Sequence, residues 1–115
     1  MVELQLPYPP TANKLWTRTR QGMRRTDSYN NWLQCAGWAV IQQRPKKIRG
    51  HYKISIMAVR PDKRRRDLGN LLKATEDLLT AQGVIEDDSL SEQINMRWVT
   101  TGDGILVRIE SAGVE

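Results

Sequence analysis

The residues of this sequence best suited to chemistry are Asp67, Lys73 and the pair Asp87 and Asp88. Asp67 closes a basic run, Lys63, Arg64, Arg65 and Arg66, and the paired aspartates end the stretch GVIEDD. Carboxylate oxygens are the ligands a hard cation such as Mg²⁺ prefers, and because Mg²⁺ keeps several of its waters, two or three carboxylates suffice. A cation held there would neutralise the charge that builds at phosphorus during phosphodiester hydrolysis and activate a water. A neighbouring ammonium, here Lys73, would stabilise the transition state or orient that water. Each residue also has a plain reading. Asp67 is a good helix N-cap, Lys73 can pair with Asp77 one helical turn on, Asp87 and Asp88 suit a polar loop, and the basic run suits a solvated surface. Taken singly, the plain readings are the better ones; their combination in one short segment favours chemistry.

The elements that must position these residues follow from periodicity. Val2 to Leu6 and His51 to Val59 alternate as strands do, with Tyr52, Ile54, Ile56 and Ala58 on one face. Tyr29, Trp32, Leu33, Ala36, Val40 and Ile41 recur at helical spacing after Asp27 and Ser28, which are good caps, and this helix ends before Pro45. Gly37 within it predicts a close packing contact. A second helix starts at Asp67, carries Leu68, Leu71, Leu72, Thr75, Leu78 and Leu79, and is capped by Gly83. Gln93 to Val99 predicts a third strand. Thr101, Gly102, Asp103 and Gly104 predict a hairpin turn into a fourth, on which Ile105, Val107 and Ile109 alternate. Residues 11 to 26 read as an exposed loop or ragged hairpin rich in Lys and Arg.

The expected fold is therefore α+β, order β-α-β-α-β-β, with a small mixed four-stranded sheet and two helices. A parallel crossover joins the second and third strands, and the last two strands form an antiparallel hairpin. In this arrangement Asp67 and the Asp87–Asp88 pair lie at opposite ends of the second helix. Spacing alone does not bring them together; the chain after Gly83 would have to bend back.

Composition narrows the class. The chain has 115 residues, enough for one domain spanning 1–115, and 39% hydrophobic residues allow a core. Lys and Arg number 18 against 13 Asp and Glu, a net charge of +5 with a pI near 9.7, which favours a polyanionic partner. Cys35 is the single cysteine, so no disulfide forms within the chain, and we expect a buried free thiol. The start MVELQLPYPP lacks a signal peptide's basic and apolar regions, and no apolar run approaches the roughly 20 residues a bilayer demands. A cytoplasmic protein with no membrane partner is expected. His51 reads as a surface or satisfied strand histidine. Trp32 and Trp38 read as packing against the sheet or a dimer partner. For Trp16, among Lys14, Arg18 and Arg20, stacking on an unpaired base and anchoring the loop are both open.

The stretch RRRDLGNLLK, the later EDD and the opening LPYPPTANKLW together resemble the RusA family of Holliday-junction resolvases, from about Leu4 to the end. The resemblance implies a homodimer that cleaves branched double-stranded DNA at four-way junctions by paired nicks, with Mg²⁺ and no organic cofactor. The family's first catalytic aspartate falls on Asp67, its asparagine on Asn70, its catalytic lysine on Lys73, and the aspartate after the helix on Asp88, with Asp87 beside it as a further metal ligand. The resemblance implies that these carboxylates converge. Asn13 matches the opening motif and is a supporting residue. Lys14, Arg18, Arg20, Lys63, Arg64, Arg65 and Arg66 are the expected DNA contacts. One position departs from the pattern: the family's second aspartate falls on Gly69, which offers no oxygen ligand, and Asp62, Asp77, Glu86 or Asp87 are candidates to compensate. Two other functions stay open: a junction-binding protein of the same fold with weak or no cleavage, and a basic RNA-binding protein.

Overall fold

The structure, a computed structural model, describes residues 1–10, 15–60 and 68–113, with only the backbone of 68–70. Its elements run β1 (Val2–Leu6), β2 (Trp16–Thr19), β3 (Gly22–Arg25), α1 (Asp27–Gln43), β4 (Tyr52–Val59), α2 (Leu68–Ala81), β5 (Ser91–Val99) and β6 (Ile105–Ser111), with a 3-10 turn, Asp88–Leu90, before β5. The expected four-stranded mixed sheet and two helices are present. The basic stretch resolves into a hairpin, with Trp16 opposite Arg25 and Arg18 opposite Met23.

The sheet order is β1-β6-β4-β5. β5 runs parallel to β4, with Ile54 opposite Ile94 and Ala58 opposite Trp98, as the crossover through α2 requires. The expected hairpin between the last two strands is wrong. β6 pairs with β4 and β1, antiparallel to each, so β4 lies between β5 and β6. The crossover has already occupied one edge of β4, and the apolar Ile105, Val107 and Ile109, each 0% exposed, complete the core only on the other. The turn therefore passes over the end of β4, where Val59 N–H donates to Gly104 O at 3.1 Å. Gly104 has φ +64, and a Cβ there would stand 2.2 Å from Leu6 O, so this crossing admits no larger residue.

The core lies between one face of the sheet and the two helices, a two-layer arrangement. Tyr52, Ile54, Ile56 and Ala58 of β4 are buried, with Leu4 and Leu6 of β1, Tyr29, Ala36 and Val40 of α1, and Leu71, Ala74, Leu78 and Leu79 of α2. Three residues in a row could cap α1, and Thr26, not Asp27 or Ser28, does so: its hydroxyl accepts from Tyr29 N–H at 3.1 Å. A Cβ on Gly37 would lie 2.6 Å from Gln82 Nε2, the close contact expected there. Cys35 is exposed rather than buried, because it sits on the outward side of α1. Trp38 shares that side and is 59% exposed, whereas Trp32 is buried and donates from Nε1 to Pro7 O at 3.0 Å. Among the described residues no helix is long and apolar enough to cross a membrane.

Candidate active site

The flank of α2 that faces away from Leu71, Ala74 and Leu78 collects the polar groups. Lys73 is exposed, and its Nζ lies 3.2 Å from Asp77 Oδ1 one turn on. The other Asp77 oxygen accepts from the Tyr29 hydroxyl at 2.6 Å. Tyr29 is fully buried, and burial first, then Asp77, hold its phenol protonated far above the usual range. The neighbouring acid, Glu76, points inward and is 7% exposed. Its carboxylate accepts from the hydroxyl of Tyr52, the first residue of β4. Burial pushes the Glu76 carboxyl above the ordinary carboxylate range; the charges of Asp88 and Asp77 act in the same direction, and the Tyr52 hydroxyl and Lys73 oppose them.

After α2 the chain turns toward the start of β5 and carries Asp88 with it. Gly83, at φ +73, ends the helix: its N–H donates to Thr80 O at 3.1 Å and Val84 N–H to Leu79 O at 2.9 Å. Val84 and Ile85 then turn into the core, each 2% exposed. Ile48 N–H donates to Val84 O at 2.8 Å and Gly50 N–H to Glu86 Oε1 at 2.5 Å. These contacts pin the acidic loop against the segment leading into β4. The chain thus reaches the start of β5, opposite Tyr52, with Asp88 near enough for its charge to raise both Glu76 and Tyr52. Asp87 caps the 3-10 turn: its carboxylate accepts from the Ser89 hydroxyl and from Ser89 N–H at 3.2 Å, which hold it below the usual range.

The basic hairpin is rooted beside this cluster. Trp16 meets the Tyr29 ring edge-on at 6.0 Å, and the Arg25 guanidinium lies 5.8 Å from the Trp16 ring and 5.7 Å from the Tyr29 ring. Arg18 and Arg20 extend from this root. Of the two readings of Trp16, anchoring has direct support here, although 37% of its surface stays open.

A profile of the family described as Endodeoxyribonuclease RusA matches residues 7–110. The chain belongs to the RusA family. It is 33% identical over 93 residues to the crossover junction endodeoxyribonuclease rusA of Enterobacteria phage HK97, covering 79% of this chain and 77% of that one. It is 31% identical over 121 aligned positions to the crossover junction endodeoxyribonuclease RusA of Escherichia coli strain K12, covering 97% and 96%. The enzyme of the same name from Enterobacteria phage 82 is 30% identical over the same span.

Of the residues expected to form a RusA site, Lys73 pairs with Asp77 on α2, and Asp88 lies within electrostatic reach of Glu76 on the same helix. Asp67, Asn13, Lys14, Lys63, Arg64, Arg65 and Arg66 lie outside the described residues, as does Asp62 among the candidate substitutes for Gly69. Asn70 is in the first turn of α2, and its side chain is likewise outside. One oxygen of Asp87 accepts from Ser89, and Oε1 of Glu86 accepts from Gly50 N–H. Asp77 is taken up by Tyr29 and Lys73. The residue that sequence reasoning missed is Glu76. Its signal was position: Glu76 falls between Leu72 and Leu79 on one stripe of α2, where a carboxylate is out of place unless something holds it. Among the described residues no group of three or more ligating side chains closes around one point. Carboxylate oxygens such as those of Asp88 are the donors a hard cation takes.

Proposed function

We propose that this single-domain protein is a Mg²⁺-dependent endodeoxyribonuclease that resolves four-way DNA junctions. The observation that supports the reading is Asp88 within electrostatic reach of Glu76 on the helix that carries Lys73, in a chain of the RusA family. Asp88 and Asp67 hold the cation, with Asp87 shaping the loop on which Asp88 stands and Asn70 and Asn13 supporting the site. A bound Mg²⁺ neutralises charge developing at phosphorus and lowers the pKa of a water. Lys73, exposed and aimed outward, places its ammonium against a non-bridging phosphate oxygen, where it counts most as charge builds there. Arg18 and Arg20 on the hairpin, with Lys14 and the run Lys63 to Arg66, bind the phosphate backbone.

Two symmetric nicks call for two sites, and a twofold homodimer supplies them. The outward side of α1, with Trp38 and Ile41 each more than half exposed, is available to a second copy. We place the protein in the cytoplasm, where its single cysteine needs no partner. The test is cleavage of a synthetic four-way junction with and without Mg²⁺. Paired, metal-dependent nicks on the junction and none on a linear duplex are expected; no cleavage at any Mg²⁺ concentration overturns the reading. That second outcome would favour a junction-binding protein, for which Gly69, in place of a carboxylate, is the one specific observation.

A further inference from the structure

We propose that Asp77 and Tyr29 are positioning residues for Lys73, tying its ammonium to the root of the basic hairpin. The inference rests on Lys73 acting at the transition state, as proposed above. Lysine carries a flexible four-carbon stem, and a half-exposed one has many rotamers open to it. Here both oxygens of one carboxylate are committed: Asp77 Oδ1 meets Lys73 Nζ at 3.2 Å, and Oδ2 accepts the Tyr29 hydroxyl at 2.6 Å. Asp77 therefore cannot swing with the lysine; it holds the ammonium against a fixed point.

That point is rigid because the Tyr29 ring is held from several sides. Trp16 of β2 meets it edge-on at 6.0 Å, Trp32 stacks on it at 6.3 Å, and Arg25 of β3 lies 5.7 Å from its centre. Burial and Asp77 keep the phenol protonated, so it remains a donor. An ordinary surface pair between Lys and Asp one turn apart has neither a buried donor behind its carboxylate nor a packed ring behind that donor. Placing a reacting group to within an ångström has large kinetic consequences. Asp77 is thus committed to orienting the lysine, and it does not replace the carboxylate absent at Gly69.

Single-turnover cleavage of a synthetic four-way junction at saturating protein and Mg²⁺, with junction affinity measured separately without added metal, tests this. Asp77→Asn should slow cleavage by about tenfold or more while affinity stays within about twofold. Tyr29→Phe keeps the ring and its packing and removes only the donor, so it should fold and slow cleavage to a smaller degree. In a Lys73→Met background, Asp77→Asn should change nothing further. Cleavage by Asp77→Asn at the parent rate, with Lys73→Met slow, overturns the positioning role and leaves the catalytic lysine standing. An equal slowing by Asp77→Asn in the Lys73→Met background overturns it as well, because Asp77 would then act elsewhere. Lys73→Met at the parent rate removes the lysine from the mechanism and the positioning role with it.

Discussion

The α2 flank and the basic hairpin carry opposite charges and are built in opposite ways. On α2 each consecutive acid has a tyrosine: Tyr52 donates to Glu76 and Tyr29 to Asp77, and both phenols are buried. On the hairpin, Arg18, Arg20 and Arg24 belong to an exposed two-stranded ribbon, and Arg24 makes a long, exposed ion pair with Asp27, at 3.8 Å. The difference fits the two roles proposed for these regions. A group that acts on a reacting phosphate must be fixed before the substrate arrives. A group that neutralises backbone phosphates gains from staying solvated and mobile, since its contribution is counterion release rather than geometry.

The sharpest way to break this comparison is to substitute one residue from each region. Asp88→Asn keeps the shape of the loop and removes a charged ligand. Cleavage should fall by about a hundredfold or more, as when a preorganised electrostatic group is removed, with junction affinity retained or raised because less negative charge faces the DNA. Arg18→Ala and Arg20→Ala should do the reverse: weaker binding by several-fold, a salt dependence of log K shallower by about 0.9 for each phosphate that is no longer neutralised, and a rate at saturation near that of the parent. If the arginine variants lose turnover at saturation, or Asp88→Asn loses only affinity, the division of labour is wrong.

The parts of this division that sequence displayed are those set by local pattern. The strands, both helices and the Gly83 cap follow from alternation, helical spacing and one glycine. The strand order did not follow, because Thr101 to Gly104 has the turn chemistry of a hairpin and of a crossing alike; occupation of β4 by β5 decides between them. The cap of α1 was expected at Asp27 or Ser28 and falls on Thr26, because all three residue types can cap and only the position of the first turn decides. Cys35 was misplaced because a small apolar residue on a helix fits either side. In the site, the convergence of Asp88 with α2 depends on Val84 and Ile85 turning into the core, a tertiary event that spacing does not encode. Glu76 was overlooked because a helical Glu next to an Asp looks solvated until Tyr52 is placed over it.

A smaller effect is expected at Gly69, in the first turn of α2. Asp77 has both carboxylate oxygens committed, to Tyr29 and to Lys73, which leaves Asp87, Glu86 and Asp62 as the candidates to supply the ligand that Gly69 lacks. If none of these has taken over the role, Gly69→Asp should lower the Mg²⁺ concentration for half-maximal cleavage several-fold. It should also steady the helix start by roughly 0.3–1 kcal/mol through the helix dipole. A Mg²⁺ titration of parent and variant side by side checks this; an unchanged or weaker response would mean that the site is complete without a carboxylate at that position.

The smallest effect, and the one that separates fixing a group from stabilising the fold, concerns Glu76. Burial raises its carboxyl above the ordinary value of 4.5. Between that value and the raised one, the folded chain binds more protons than the unfolded chain, so stability falls as pH rises through this window and stays lower above it. The buried charge is therefore destabilising at neutral pH, despite the Tyr52 hydroxyl and Lys73. Glu76→Gln keeps an oxygen that accepts from Tyr52 while removing the charge and its repulsion with Asp88 and Asp77. Its melting temperature should exceed that of the parent by a few degrees at pH 7.5, a shift corresponding to about 1 kcal/mol for a domain of this size. The advantage should shrink toward zero as pH falls to about 4, where the parent carboxyl is protonated when folded. Calorimetry at the two pH values reads this directly. A variant less stable than the parent at pH 7.5 would show that the Glu76 carboxylate is a net structural asset held by Lys73 and Tyr52. A more stable variant that cleaves more slowly would show a charge kept against the interest of the fold, as expected of a residue that serves the site.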